Sequence, residues 1–146
     1  MKRGFYGIGI FQPKTEYNIG TLWRSAQNFG ASYIFTIGRR YSKQPSDTTK
    51  AFRHIPLFNF SSFAEFNKSR PFDCPLIAIE QTDISRDIKS FIHPERAVYL
   101  LGAEDFGLPP QALSKAQAVV HISTPMCLNV SVAGSVVMFD RLNKNE

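Results

Sequence analysis

The sequence predicts an α/β fold in which a mostly parallel sheet is covered by helices on both faces. Three observations carry that prediction: short continuous apolar runs, helical patterns between them, and glycine or proline where they meet. Strands buried on both faces read as unbroken apolar runs rather than alternating ones, and parallel neighbours need a crossover that is usually a helix. At 146 residues, 43% hydrophobic and 20% charged, the chain is expected to form one domain over residues 1–146, large enough to bury a core without disulfides or a structural metal.

Phe5 to Phe11 mixes aromatic and β-branched residues with glycine and stops before Pro13, as a buried strand does. Further strands are expected at Tyr33 to Ile37, Leu76 to Ile79, Ala97 to Leu101 and Ala118 to Ile122. Asn18 to Phe29 reads as a helix, with Asn18 as its N-cap and Gly30 as its C-terminal glycine. Ile19, Leu22, Trp23, Ala26 and Phe29 fall on one face, and Arg24 points away from them beside the polar Thr21, Ser25 and Asn28. Other helices are expected at Ser61 to Ser69, Arg86 to Phe91, Pro109 to Lys115 and Leu128 to Asn143.

The last of these helices has no wide polar face: Val130, Val132, Ala133, Val136, Val137 and Phe139 surround it. A helix apolar on all sides must be covered on all sides, so a homodimer with this helix at its seam is expected. Cys127 lies at the helix start, where free backbone amides favour a thiolate. No histidine or lysine adjoins it in sequence, and an inert cysteine is the commoner outcome. Cys74 and Cys127 lack metal-ligand spacing, so neither a metal site nor a disulfide is expected.

The formal net charge of +5 favours a polyanionic partner. The connection from Gly38 to Pro56 carries Arg39, Arg40, Lys43 and Arg53 beside Tyr41 and Phe52, cations for phosphates and rings for bases; a solvated loop with tucked aromatics is the alternative. No apolar run approaches the roughly 20 residues of a membrane span, and Met1-Lys-Arg-Gly4 lacks the apolar core of a signal peptide. A cytoplasmic protein without membrane attachment is expected.

Two turns hold candidate chemistry. Val98 to Leu101 ends at Gly102, and Gly102 to Leu108 forms a loop at the carboxyl end of a strand, where open α/β sheets place ligands. Glu104 within it can orient a ligand, brace a backbone amide or face water. Thr124 to Gly134 joins a tight polar turn to the apolar helix.

Taken together, Asn18-Ile-Gly-Thr-Leu-Trp-Arg24, Leu101-Gly-Ala-Glu-Asp-Phe-Gly-Leu108 and Thr124-Pro-Met126 with Leu128-Asn-Val-Ser-Val-Ala133 resemble the three motifs of the SpoU, or TrmH-like, branch of the SPOUT RNA methyltransferases. The resemblance implies a C-terminal trefoil knot that binds S-adenosylmethionine, a homodimer, and methylation of a ribose 2′-hydroxyl of RNA, tRNA more than rRNA. A base methyltransferase of the same knotted class, or an RNA-binding module without catalysis, are the alternatives.

By the same resemblance Arg24, Glu104 and Asn129 match functional polar positions, with Arg24 the catalytic residue and Asn129 orienting ribose or arginine. Gly102, Thr124 and Leu128 match cofactor contacts, with Cys127 between them where the family usually has serine, and Asn18 is expected among the RNA-facing residues. Met126 runs directly into Cys127, where family members usually have several intervening residues. Gln81 or Thr82, past the strand Leu76 to Ile79, is expected to line the adenosine pocket.

Overall fold

The computed structural model describes residues 4–38, 54–102 and 107–145. Seven strands form one sheet: β1 (Phe5–Phe11), β2 (Tyr33–Ile37), β3 (Leu57–Phe60), β4 (Leu76–Ile79), β5 (Arg86–Asp87), β6 (Arg96–Leu101) and β7 (Ala118–His121). They lie in the order β3-β2-β1-β6-β4-β7-β5, and each pairing is parallel. Among the described residues four α-helices cover it: α1 (Glu16–Phe29), α2 (Phe63–Ser69), α3 (Pro110–Lys115) and α4 (Val130–Asn145). No helix among the described residues is long and apolar enough to cross a membrane.

The sheet's two faces build two cores. Ile8, Ile10, Ile34, Ile77 and Tyr99 point to the face packed by α1 and α4. Phe35, Ile37, Leu76, Val98 and Leu100 point to the other, packed by α2 and α3. On the second face Phe35 stacks on Phe66 at 4.6 Å and 15°. That packing explains Gly9 in β1: a Cβ there would lie 2.4 Å from the Phe35 ring. Each fully buried aliphatic side chain in these layers contributes roughly 1.5–3 kcal/mol.

Helix α1 begins two residues before the expected start. Thr15 is its N-cap, accepting from the Asn18 amide at 3.4 Å, because a β-hydroxyl here reaches the free amides as well as an asparagine can. Asn18 therefore lies inside the first turn and is buried. Gly30 closes the helix as expected, at φ 85° with its N–H on the Ala26 carbonyl. Helix α4 begins at Val130 rather than Leu128.

The segment expected as a helix from Arg86 is instead strand β5 followed by one 3-10 turn, Ile88–Ser90. Its backbone pairs with β7 before any helical turn closes. Strand β3 was not expected; it is an edge strand of four residues with Phe58 and Asn59 exposed.

At the amino end of β6 a polar knot of side chains ties α4 down. His93 is buried, with Nδ1 2.7 Å from the Tyr99 hydroxyl and Nε2 2.7 Å from Asp140 Oδ2. Arg141 donates to Tyr99 and to the Pro94 and Glu95 carbonyls, and Lys144 pairs with Asp140 at 2.8 Å. Burial pushes the Tyr99 hydroxyl up to about 12 and holds His93 below the usual histidine range. Asp140 pulls His93 the other way, but burial with the Lys144 and Arg141 charges outweighs it.

A depressed native pKa means that the unfolded chain binds the proton first. Stability is full above the unfolded histidine value of about 6.5 and falls as pH drops from there through the folded value. The melting temperature is expected to fall between about pH 7.5 and 5.5, and His93→Gln, whose amide serves both neighbours without titrating, should fall less over that window.

Candidate active site

The carboxyl ends of β4, β6 and β7 open into a cavity of about 300 Å³. That volume is at the lower edge of what small-molecule sites occupy, and the place is where parallel α/β sheets bind ligands. Ile79, Leu101, Ile122, Leu128, Val130 and Ala133 give it apolar walls. Gly102, Thr124, Cys127 and Leu128 all line it, so four of the five expected cofactor residues converge from two separate segments.

The fifth does not. Thr82 is spent on its own turn: Ser85 Oγ accepts from the Thr82 amide at 3.0 Å and donates to the Thr82 carbonyl at 2.8 Å, while Thr82 Oγ1 accepts from the Ile84 amide. Its predecessor Gln81 lines the cavity instead.

Helix α4 starts at the cavity, and Asn129 caps it. Asn129 Oδ1 accepts from the Ser131 amide at 2.9 Å, and Nδ2 donates to Asn18 Oδ1 at 3.1 Å. Asn18 is thus held inward against Asn129 rather than on the outer face of α1. The two asparagines lock the starts of α1 and α4 together, and Ser135 repeats the link nearly two turns on, its hydroxyl 2.8 Å from that of Ser25. A cap of this kind contributes about 1 kcal/mol.

Arg24 is exposed, and its backbone carbonyl accepts from Asn28 Nδ2 at 3.2 Å. It stands on the solvent side of α1, three residues from Thr21, which lines a second hollow between the outer faces of α1 and α4. That hollow, of about 320 Å³, is walled by Phe29, Val132, Val136 and Phe139. Half of α4 is therefore apolar toward solvent: Val132, Phe139 and Leu142 are exposed while Val130, Val137 and Met138 are buried. Arg39, Arg40, Lys43, Arg53 and Glu104 lie outside the described residues.

Two cavity residues escaped the sequence reading. His121 ends β7, and its Nδ1 is 2.9 Å from Ser85 Oγ. Because that hydroxyl already donates to Thr82, the ring nitrogen is the donor in this pair. Glu80 follows β4, and its Oε2 accepts from the Leu108 amide at 2.7 Å. Half-burial raises its pKa, and the Leu108 hydrogen bond partly offsets that. Its signal in the sequence was a lone carboxylate directly after a continuous apolar strand.

The loop from Gly102 to Leu108 depends on both glycines. A Cβ at Gly102 would stand 2.6 Å from the Gly107 backbone; Gly107 has φ 65°, and a Cβ there would stand 2.6 Å from Glu80 Oε1. Gly107→Ala combines left-handed strain with a clash against a carboxylate held in place. It should cost on the order of 1–3 kcal/mol, read as a lower urea midpoint at unchanged slope.

A seven-stranded parallel sheet with a cavity at its strand ends defines an α/β fold of the kind that binds ligands there. A family model described as the SpoU rRNA Methylase family matches residues 7–139, and the chain belongs to that family. No curated protein sequence matches it.

Among solved structures it is similar to an AdoMet-bound rRNA methyltransferase from Sinorhizobium meliloti, at 22% identity and TM-score 0.84, with 97% of this chain matching 57% of that one. It is similar at 22% identity and TM-score 0.83, over 97% of each chain, to a structure concerned with 2-OH methylation of C/U34 on tRNA. It is also similar to the TrmH/SpoU tRNA modifying enzyme of A. aeolicus, at 17% identity and TM-score 0.82, over 99% of this chain and 76% of that one. At these identities the likeness is one of fold. The chain spans little more than half of the Sinorhizobium protein and nearly all of the second.

Proposed function

We propose that this protein transfers a methyl group from S-adenosylmethionine to a ribose 2′-hydroxyl of RNA, with tRNA as the substrate class, and that it acts as a homodimer. The observation that carries the proposal is the convergence of Gly102, Thr124, Cys127 and Leu128 on one strand-end cavity, whose rim is joined through Asn129 and Asn18 to the helix bearing Arg24. The near end-to-end match to the structure concerned with tRNA 2-OH methylation supports the choice of acceptor.

The cavity suits the cofactor. Its apolar walls can take an adenine ring, and the close packing of Gly102 on the Gly107 backbone shapes one side of it. Gly102, Leu128 and the Thr124 to Cys127 turn would hold the adenosine. When bound, the cofactor supplies an electrophilic sulfonium methyl.

The protein's work is mostly positioning, since transfer needs the 2′-oxygen in line with that methyl. A guanidinium with a pKa above about 12 is a poor base, so Arg24 acts electrostatically, gripping the adjacent phosphate and stabilising negative charge that develops on the 2′-oxygen. Asn129 and Asn18 set the spacing of α1 from the cavity. The exposed apolar strip of α4 beside Arg24 favours a two-fold partner whose cavity Arg24 serves.

The same reading carries a C-terminal trefoil knot. Its support is the strand order, in which β4 lies between the later strands β6 and β7, and the return of α4 to pack against α1 on the other side of the sheet's middle. Calorimetry with S-adenosylmethionine tests the cofactor directly. Micromolar binding, lost when Leu128→Arg fills the cavity, is expected; no binding by the wild type would leave an RNA-binding module without catalysis.

A further inference from the structure

The proposed function leaves Glu80 without a role, although its position is unusual. It lines the cavity on the strand-end side, between Ile79 and Gly107, and no other lining residue among those described is a carboxylate, lysine or arginine. Oε2 is engaged by the Leu108 amide, whereas Oε1 has no hydrogen-bond partner among the described residues. A Cβ added at Gly107 would stand 2.6 Å from Oε1, so the carboxylate lies close against this turn. A half-buried carboxylate with one oxygen lacking a partner among the described residues is a ready acceptor for a ligand's donors.

We propose that Glu80 receives the ribose diol of the cofactor's adenosine; the inference rests on S-adenosylmethionine being the ligand. The cofactor offers two kinds of donor, the neutral diol of its adenosine and the ammonium of its amino-acid tail. The tail carries two charges and keeps its hydration at the mouth of the cavity, where Thr124, Pro125 and Met126 are exposed. The adenosine lies among the apolar walls at the strand ends, and that is where Glu80 stands. A vicinal diol can donate to Oε1 and share Oε2 with the Leu108 amide, giving charge-assisted bonds where the ligand is most desolvated. Acidic side chains hold ribose hydroxyls from strand ends in dinucleotide-binding α/β folds by the same physics.

Glu80→Gln keeps an oxygen for the Leu108 amide and removes the charge, so its melting temperature should stay near that of the wild type. Calorimetry would compare wild type and variant with S-adenosylhomocysteine, with 5′-methylthioadenosine, which has the diol but no tail, and with the 2′,3′-dideoxy form of the latter. The variant is expected to bind the first two about tenfold or more weaker, and the dideoxy compound as well as the wild type does. Weaker binding of S-adenosylhomocysteine alone would assign Glu80 to the tail and overturn the proposal. Equal weakening of all three compounds would reduce Glu80 to a brace for the 102–108 loop, and unchanged binding would remove it altogether. A wild type that binds none of the three defeats the cofactor reading itself, a pattern distinct from each of these.

Discussion

Arg24→Ala is expected to lower methyl transfer by about two to three orders of magnitude while leaving S-adenosylmethionine affinity within about twofold, the scale on which removing one transition-state donor acts. Arg24 is on the solvent side of α1 and is absent from the cavity lining of its own protomer. Its loss therefore removes nothing that grips the cofactor and nothing from the core. Arg24→Lys keeps the charge but not the two-pronged geometry on a phosphate, and should recover only part of the rate. Single-turnover rates with labelled cofactor measure the first effect and calorimetry the second. A fully active Arg24→Ala enzyme would remove this residue from the mechanism.

The second large effect concerns the apolar strip of α4. Phe139 is 57% exposed on the protomer and meets Phe29 edge to face at 6.1 Å. With Val132 and Val136 it walls the hollow beside Thr21, one helical turn from Arg24. Phe139→Glu would place carboxylates close to one another across a two-fold seam, and like charges so placed cost several kcal/mol. Light scattering at micromolar concentration should show a dimer for the wild type and a monomer for the variant, with the helical circular dichroism of each protomer retained. Activity should be lost with the dimer, because Arg24 would no longer reach a partner's cavity. A stable wild-type monomer would refute the seam.

Much of this was legible in the sequence, for reasons specific to its elements. Continuous runs such as Leu76–Ile79 and Val98–Leu101 announced strands buried on both faces, and they occupy the middle of the sheet. The turns at Gly102 and Thr124 to Leu128 were visible because strand ends, glycine and a helix start coincide there. What was hidden depended on partners distant in the chain. Strand β5 is two residues long and exists through β7, and Leu57–Phe60 gains strand geometry from β2.

The misplaced residues follow the same rule. Asn18 had the chemistry of a cap, but Thr15 sits where the backbone first turns, and the side-chain oxygen of Asn18 accepts instead from Asn129, 111 residues away. Thr82 had the right position past a strand, yet Ser85 three residues on closes a turn that consumes it. Glu80 and His121 became site residues through the adjacency of β4 and β7, which no local pattern encodes.

The central claim is the acceptor atom. Bulk tRNA incubated with the protein and methyl-labelled S-adenosylmethionine, then digested to nucleosides and in parallel hydrolysed with alkali, locates the transferred group. The account predicts label in a 2′-O-methylnucleoside and an alkali-resistant dinucleotide carrying it. Label recovered on a base, with every phosphodiester still cleaved by alkali, would contradict it.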